Sequence, residues 1–309
     1  MNKYERAKEG IKMREHEITE NKPDVEKISS TAFFVSFARR YSDIPYAEKF
    51  TVPKGSKEIY EKIMEQNIAG VGFLTILYEA RYKNLRKVMR EVVENEKIHN
   101  IIEVASGNSS HGLEESENGN ITFIETDLSK MISEKKEKVS EILKGIKEER
   151  KNLHFASADA LKKEEMLAIV NLVFDNSPIM VINEGLLSYF DTEDKAKIVK
   201  NIKAILEKRG GVWITADICA RFPSPSGIDM KTIFRDLEKV TERKITGNAF
   251  VYIEESVAFF EDFGFEVKRR SYDISDLSSL NLFREKGVNT NAIIENMSHR
   301  EIFILQLKK

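Results

Sequence analysis

The stretch Asn100 to Asp127, reading NIIEVASGNSSHGLEESENGNITFIETD, constrains the fold of this chain more than any other. An apolar run, Ile101-Ile102-Glu103-Val104, breaks at the small residues Ala105-Ser106-Gly107. A second run, Ile121 to Ile124, ends on the acids Glu125 and Asp127. Strand, small-residue turn, helix, strand and acid is the layout of one nucleotide-binding half of a doubly wound sheet. The turn lets backbone approach a ligand, and the acid takes ribose hydroxyls. Glu103 and Asp127 stand 24 residues apart, close to the spacing such a half requires. Only Gly107 remains of a GxGxxG fingerprint, with Gly112 further on. A tight turn that binds nothing therefore explains this piece equally well.

Around it the pattern alternates. Short apolar runs predict strands at 101–104, 122–125, 154–156, 179–182, 212–216, 266–271 and 300–307, with helices at 130–144, 162–172, 192–208 and 254–263. Runs without a polar break, such as Ile179-Met180-Val181-Ile182, suit strands covered on both faces. The expected fold is α/β: a doubly wound, mostly parallel seven-stranded sheet, its last strand antiparallel at the sheet edge after a long polar loop over 273–296. Residues 1–95 read as an N-terminal helical subdomain and 96–309 as the ligand-binding domain. Within the former, residues 1–26 form a charged helix or arm and Ser29-Ser30-Thr31 caps an apolar segment. One helix runs from Ser56 to a stop at Gly70, and a longer one from Phe73 to Asn95. An insert at 221–252, holding Pro223, Pro225 and Gly227, falls where ligands bind and is expected to be a substrate lid.

Charge excludes some partners. With 49 basic against 51 acidic residues the net charge is −2, which gives nucleic acid no electrostatic footing. A single cysteine, Cys219, forbids an internal disulfide framework and fits a reducing cytoplasm. No run approaches the roughly 18 apolar residues that span a membrane, and the charged N-terminus is no signal peptide.

Three acids stand at strand ends. Asp127 either takes ribose or caps the following helix. Asp159, in Ser157-Ala158-Asp159-Ala160-Leu161, either accepts from an adenine amino group or caps a helix. Glu184, in Asn183-Glu184-Gly185-Leu186-Leu187-Ser188-Tyr189-Phe190, ends a buried strand and must face the ligand crevice or pair with an arginine.

IIEVASGNSSHGL, FIETDLSK, SADAL and NEGLLSYF together resemble, in order and spacing, the leucine carboxyl methyltransferase family of class I S-adenosylmethionine-dependent methyltransferases. SSTAFFVSFARR and YEARYKNL resemble elements that precede the first strand in that family. The resemblance covers roughly 29–217. It implies a Rossmann-like methyltransferase fold, S-adenosyl-L-methionine as cofactor, and cofactor contacts at Gly107, Asp127 (ribose), Asp159 and Ala160 (adenine), Glu184, and Arg81 (methionine carboxylate). The chain departs from the family at Ala105, where a glycine is usual, and at Ser129, where a proline is usual. It also departs at Phe33, where phosphatase-methylating members carry lysine.

The expected activity is O-methyl transfer to a small-molecule carboxylate or hydroxyl, or to a protein C-terminal carboxylate. An ionised carboxylate acceptor needs no base, whereas a hydroxyl acceptor benefits from one. Tyr189, Arg39 and His111 are the substrate-side candidates, with His111 expected in a solvated loop and Arg39 equally readable as a surface charge. No metal-ligand pattern is present. An NAD-type oxidoreductase and a non-catalytic cofactor-binding relative are the alternatives.

Overall fold

The computed structural model describes residues 35–50, 61, 64–173, 175–217, 248–250 and 252–308. The N-terminal arm, the Ser29–Thr31 cap, Phe33, Ser56, Cys219 and nearly all of the 221–252 insert lie outside the described residues.

Seven strands form one sheet: β1 (Asn100–Val104), β2 (Thr122–Asp127), β3 (Leu153–Ser157), β4 (Ile179–Asn183), β5 (Gly211–Thr215), β6 (Phe265–Ser271) and β7 (Glu301–Leu307). Their order is β3-β2-β1-β4-β5-β7-β6. β1 to β5 pair in parallel, and β7 runs antiparallel to both neighbours. The sheet thus reverses direction of strand order between β1 and β4, the point where doubly wound folds open a ligand crevice. The antiparallel strand sits one place in from the edge instead of at it, because β6 needs a partner and β7 alone supplies it. This pairing also separates the sheet from the all-parallel dinucleotide order.

Among the described residues, helices packed on the sheet include α1 (Ile68–Glu96), α2 (His111–Glu115), α3 (Ser129–Ile146), α4 (Lys163–Ile169), α5 (Thr192–Arg209), α6 (Ile253–Asp262), α7 (Ser278–Glu285) and α8 (Thr290–Ser298). Strand alternation sends Ile101, Phe123, Met180, Ile182, Val212 and Ile304 to a core shared with α1, α3, α7 and α8. It sends Ile102, Ile124, Val181, Trp213 and Leu305 to a second core with α4, α5 and α6.

Two expectations fail here, for one reason. Gly70 does not stop a helix; α1 starts at Ile68, capped by Asn67, whose side chain accepts from the Gly70 N–H at 2.9 Å, and runs on through Gly72. A Cβ at Gly72 would lie 2.8 Å from Phe283 Cδ1, so the glycine lets α7 settle against α1. The 273–296 stretch is likewise no loop, since it contains α7 and most of α8. Its buried points Leu277, Leu280, Phe283, Val288 and Ile293 are few, and they become a core only against α1.

Candidate functional site

The β1 turn is tightly wound. Ala105 (φ 54°) and Gly107 (φ 46°) both adopt the left-handed region. For Ala105 this costs about 1–2 kcal/mol that a glycine would not incur, the kind of local strain found at ligand turns. The turn is held by Ser106 N–H to the Thr126 carbonyl (2.8 Å) and by Gly107 N–H to Asp127 Oδ2 (2.7 Å). Asp127 Oδ1 accepts from Leu128 N–H at 2.7 Å. Burial pushes the Asp127 carboxyl up, while these two N–H groups and the Lys135 ammonium oppose that rise. The N-cap of α3 is Leu128, so Asp127 is not that helix's cap.

One strand further out, Asp159 folds into a local turn after β3. Its Oδ1 accepts from Leu161 N–H (3.0 Å), and its own N–H donates to Glu165 Oε2 (2.9 Å). The N-cap of α4 is Lys162, so Asp159 does not cap that helix either. The buried Ala160 presents its carbonyl to Asn201 Nδ2 at 2.8 Å.

Beyond β4 the charges converge. Glu184 Oε1 receives Arg81 Nε at 2.7 Å and the Arg39 guanidinium as well, and Oε2 meets His111 Nε2 at 3.2 Å. Burial raises the Glu184 carboxyl, but the two guanidiniums and the histidine outweigh it and hold the group well below the usual carboxylate range. Glu184 was expected either to face the ligand crevice or to pair with an arginine; it pairs with two. Arg39 is 5% exposed and no surface charge; its guanidinium also lies 5.0 Å from the Tyr82 ring centroid. Arg81 lies across Gly185, where a Cβ would come 3.0 Å from Nη2, and 5.3 Å from the Tyr78 ring.

His111 corrects the expectation of a solvated loop. It is the first residue of α2, fully buried, and stacked on Tyr82 with centroids 3.9 Å apart. Burial lowers it to about 4 against the pull of Glu184, so at neutral pH the ring is uncharged. Facing a carboxylate, Nε2 must carry the proton. Nδ1 then has no hydrogen-bond partner among the described residues. Tyr189, half-buried in the turn after β4, neighbours Tyr78.

Asp217, just past β5, was not anticipated. Its carboxylate accepts from Asn183 Nδ2 (2.8 Å) and from the N–H groups of Gly185 (2.7 Å), Leu186 and Leu187 (3.0 Å). Asn183 Oδ1 in turn accepts from the Trp213 indole at 2.7 Å. Asp217 therefore shapes the whole turn that presents Glu184. The signal was present, since an acid directly follows an apolar strand here as it does at Asp127.

The strand ends thus carry two groups flanking the crevice. Gly107, Asp127, Asp159 and Ala160 follow the ends of β1, β2 and β3, and Arg39, Arg81, His111 and Glu184 gather beyond β4. Such an arrangement can hold a ligand with a diol at one end and a zwitterion at the other. Among the described residues no His/Cys/Asp/Glu group could hold a metal ion, and no helix is long and apolar enough to cross a membrane.

Residues 32–203, more than half of the chain, match the family described as Leucine carboxyl methyltransferase. No curated protein matches the chain significantly. Among solved structures, a DUF574 family protein from Streptomyces avermitilis MA-4680 is 13% identical, with a TM-score of 0.56 over 90% of this chain and 97% of its own. A protein from Thermobifida fusca YX, provisionally assigned as a methyltransferase, is 15% identical, with a TM-score of 0.52 over 84% of this chain and 90% of its own. At such identities the likeness speaks for the fold.

Proposed function

The chain belongs to the leucine carboxyl methyltransferase family, and from that premise we propose that it is an S-adenosyl-L-methionine-dependent O-methyltransferase acting on a carboxylate or hydroxyl oxygen of a small molecule. The observation that carries this is the pairing of Arg39, Arg81 and Glu184 beyond β4 with a left-handed turn and a half-buried Asp127 at the ends of β1 and β2. Their chemistry fits the cofactor. Arg81 would take its carboxylate and Glu184 its ammonium, Asp127 the ribose diol, Asp159 and Ala160 the adenine, with Gly107 giving room for backbone approach. When bound, the cofactor supplies a methyl group already activated on a sulfonium.

What the protein adds is alignment and exclusion of water. Buried Glu184, locked between two guanidiniums, stays ionised and fixed in direction. His111, neutral and engaged to Glu184, orients that carboxylate, and its remaining nitrogen is buried, so it does not serve as the base. Arg39 closes the site from the N-terminal segment, which is pinned by Ser278 Oγ to Asp43 and by Tyr46 Oη to Glu117 Oε1 (2.6 Å). Tyr189 stands on the acceptor side. Phe33, in place of the lysine of phosphatase-methylating relatives, supports a small molecule over a protein terminus. A net charge of −2 speaks against nucleic acid, and a single cysteine fits the cytoplasm.

Isothermal titration with S-adenosylhomocysteine tests the cofactor, with micromolar binding expected and its absence refuting the reading. Asp127→Ala should weaken that binding by about 1–3 kcal/mol, because buried ribose hydroxyls lose their acceptor. Methyl release over a panel of carboxylic acids and phenols then identifies the acceptor.

A further inference from the structure

Beneath the turn lies a buried charged group to which the proposed function gives no role. Glu103 and Glu125 are register partners on β1 and β2, both buried. Lys135 reaches them from α3, itself only 1% exposed, with Nζ 2.9 Å from Glu125 Oε2. The same ammonium approaches the Ser106 carbonyl at 3.4 Å. Ser106 is the residue between the two left-handed positions, Ala105 and Gly107. A buried ammonium is costly unless it is paired and hydrogen-bonded. Here its partners are the second strand and the turn itself.

We propose that Lys135 is the positioning residue of the cofactor turn, tying the Ser106 carbonyl to Glu125 so that the Gly107 N–H and Asp127 face each other. The inference rests on the cofactor reading above and deepens it. The groups around the ammonium are Glu103 and, beside it, Ser109; Glu125 and Asp127 of β2; His111 and the Gly112 N–H of α2; and, acting on Glu103 from β4, Glu184. Two carboxylates against one ammonium in a dry site cannot both be ionised without leaving a net charge. Glu103 is the one that keeps its proton. Burial raises it to about 8, with Lys135 opposing and Glu125 adding to the rise. Lys135 also opposes the effect of burial on Asp127, after the Gly107 and Leu128 N–H groups.

The test uses Lys135→Met/Glu125→Gln, which removes both charges together and leaves no buried ion unpaired. S-adenosylhomocysteine affinity is measured from pH 5.5 to 8.5 for this variant and the wild type. The variant is expected to bind at least about tenfold more weakly across that range, because the turn loses its tie to β2. Affinity within about twofold of wild type throughout overturns the proposal. Amide hydrogen exchange of the ligand-free proteins gives a second reading. Gly107 and Leu128, which donate to Asp127, should exchange at least about tenfold faster in the variant while β4 is unchanged. Unchanged protection at Gly107 and Leu128 also overturns it. A wild type that binds no S-adenosylhomocysteine refutes the cofactor reading, and the exchange measurement still decides for or against Lys135.

Discussion

At the scale of single residues, the site depends on neighbours that must not grow or change charge. A Cβ at Gly112 would fall 2.2 Å from Glu125 Oε1, inside a carboxylate buried under α2. Gly112→Ala should therefore cost roughly 1–3 kcal/mol of stability in urea unfolding, because neither backbone nor buried charge can yield. His111 predicts a pH dependence. The unfolded histidine titrates near 6.5 and the folded one at about 4. Its contribution is thus complete above pH 6.5 and lost as pH falls toward 4, when only the unfolded chain takes up the proton. Between pH 7 and pH 5 the loss is about 2 kcal/mol. His111→Gln, which can still donate to Glu184, should lose about 2 kcal/mol less over that interval than the wild type. Asp127 and Glu184 were legible because an acid that ends an apolar strand needs a reason to be there. The burial of His111 was not, since it is set by Tyr82 of α1, 29 residues upstream.

At the scale of elements, two carboxylates do work that no local motif advertises. Glu79, buried in α1, accepts the N–H groups of Ser278 (2.8 Å) and Ser279 (2.9 Å) at the start of α7, whose own N-cap residue Leu277 has no side-chain acceptor. A carboxylate satisfies that helix terminus in both hydrogen bonding and dipole. Glu79→Ala should cost about 2 kcal/mol in thermal or urea unfolding and speed amide exchange selectively across α7. Asp217→Ala leaves three backbone N–H groups after β4 without their acceptor. It should lose methyl transfer with a stability cost of roughly 3 kcal/mol, checked by activity and unfolding on the same preparation. Strands were readable as elements because buried parallel strands are uninterrupted apolar runs. α7 and α8 were not, because their sparse apolar residues count only once α1 lies opposite.

At the scale of the molecule, the two groups of site residues belong to parts of the sheet wound in opposite senses from β1 and β4. A ligand that bridges them should stabilise the whole. At a hundredfold excess over its Kd, S-adenosylhomocysteine should add about 2.7 kcal/mol to the unfolding free energy, seen as a raised Tm that Asp127→Ala reduces. The alternation of strand and helix made the α/β architecture legible. It could not reveal where β7 inserts, since strand position within a sheet depends on which edges remain open. That insertion governs how the protein is made. β7 leaves the ribosome after both strands it joins, so until then β5 lacks one neighbour and β6 lacks any. From the emergence of each of these strands until that of β7, the nascent chain carries bare strand edges, a state open to chaperones and to mispairing with other chains.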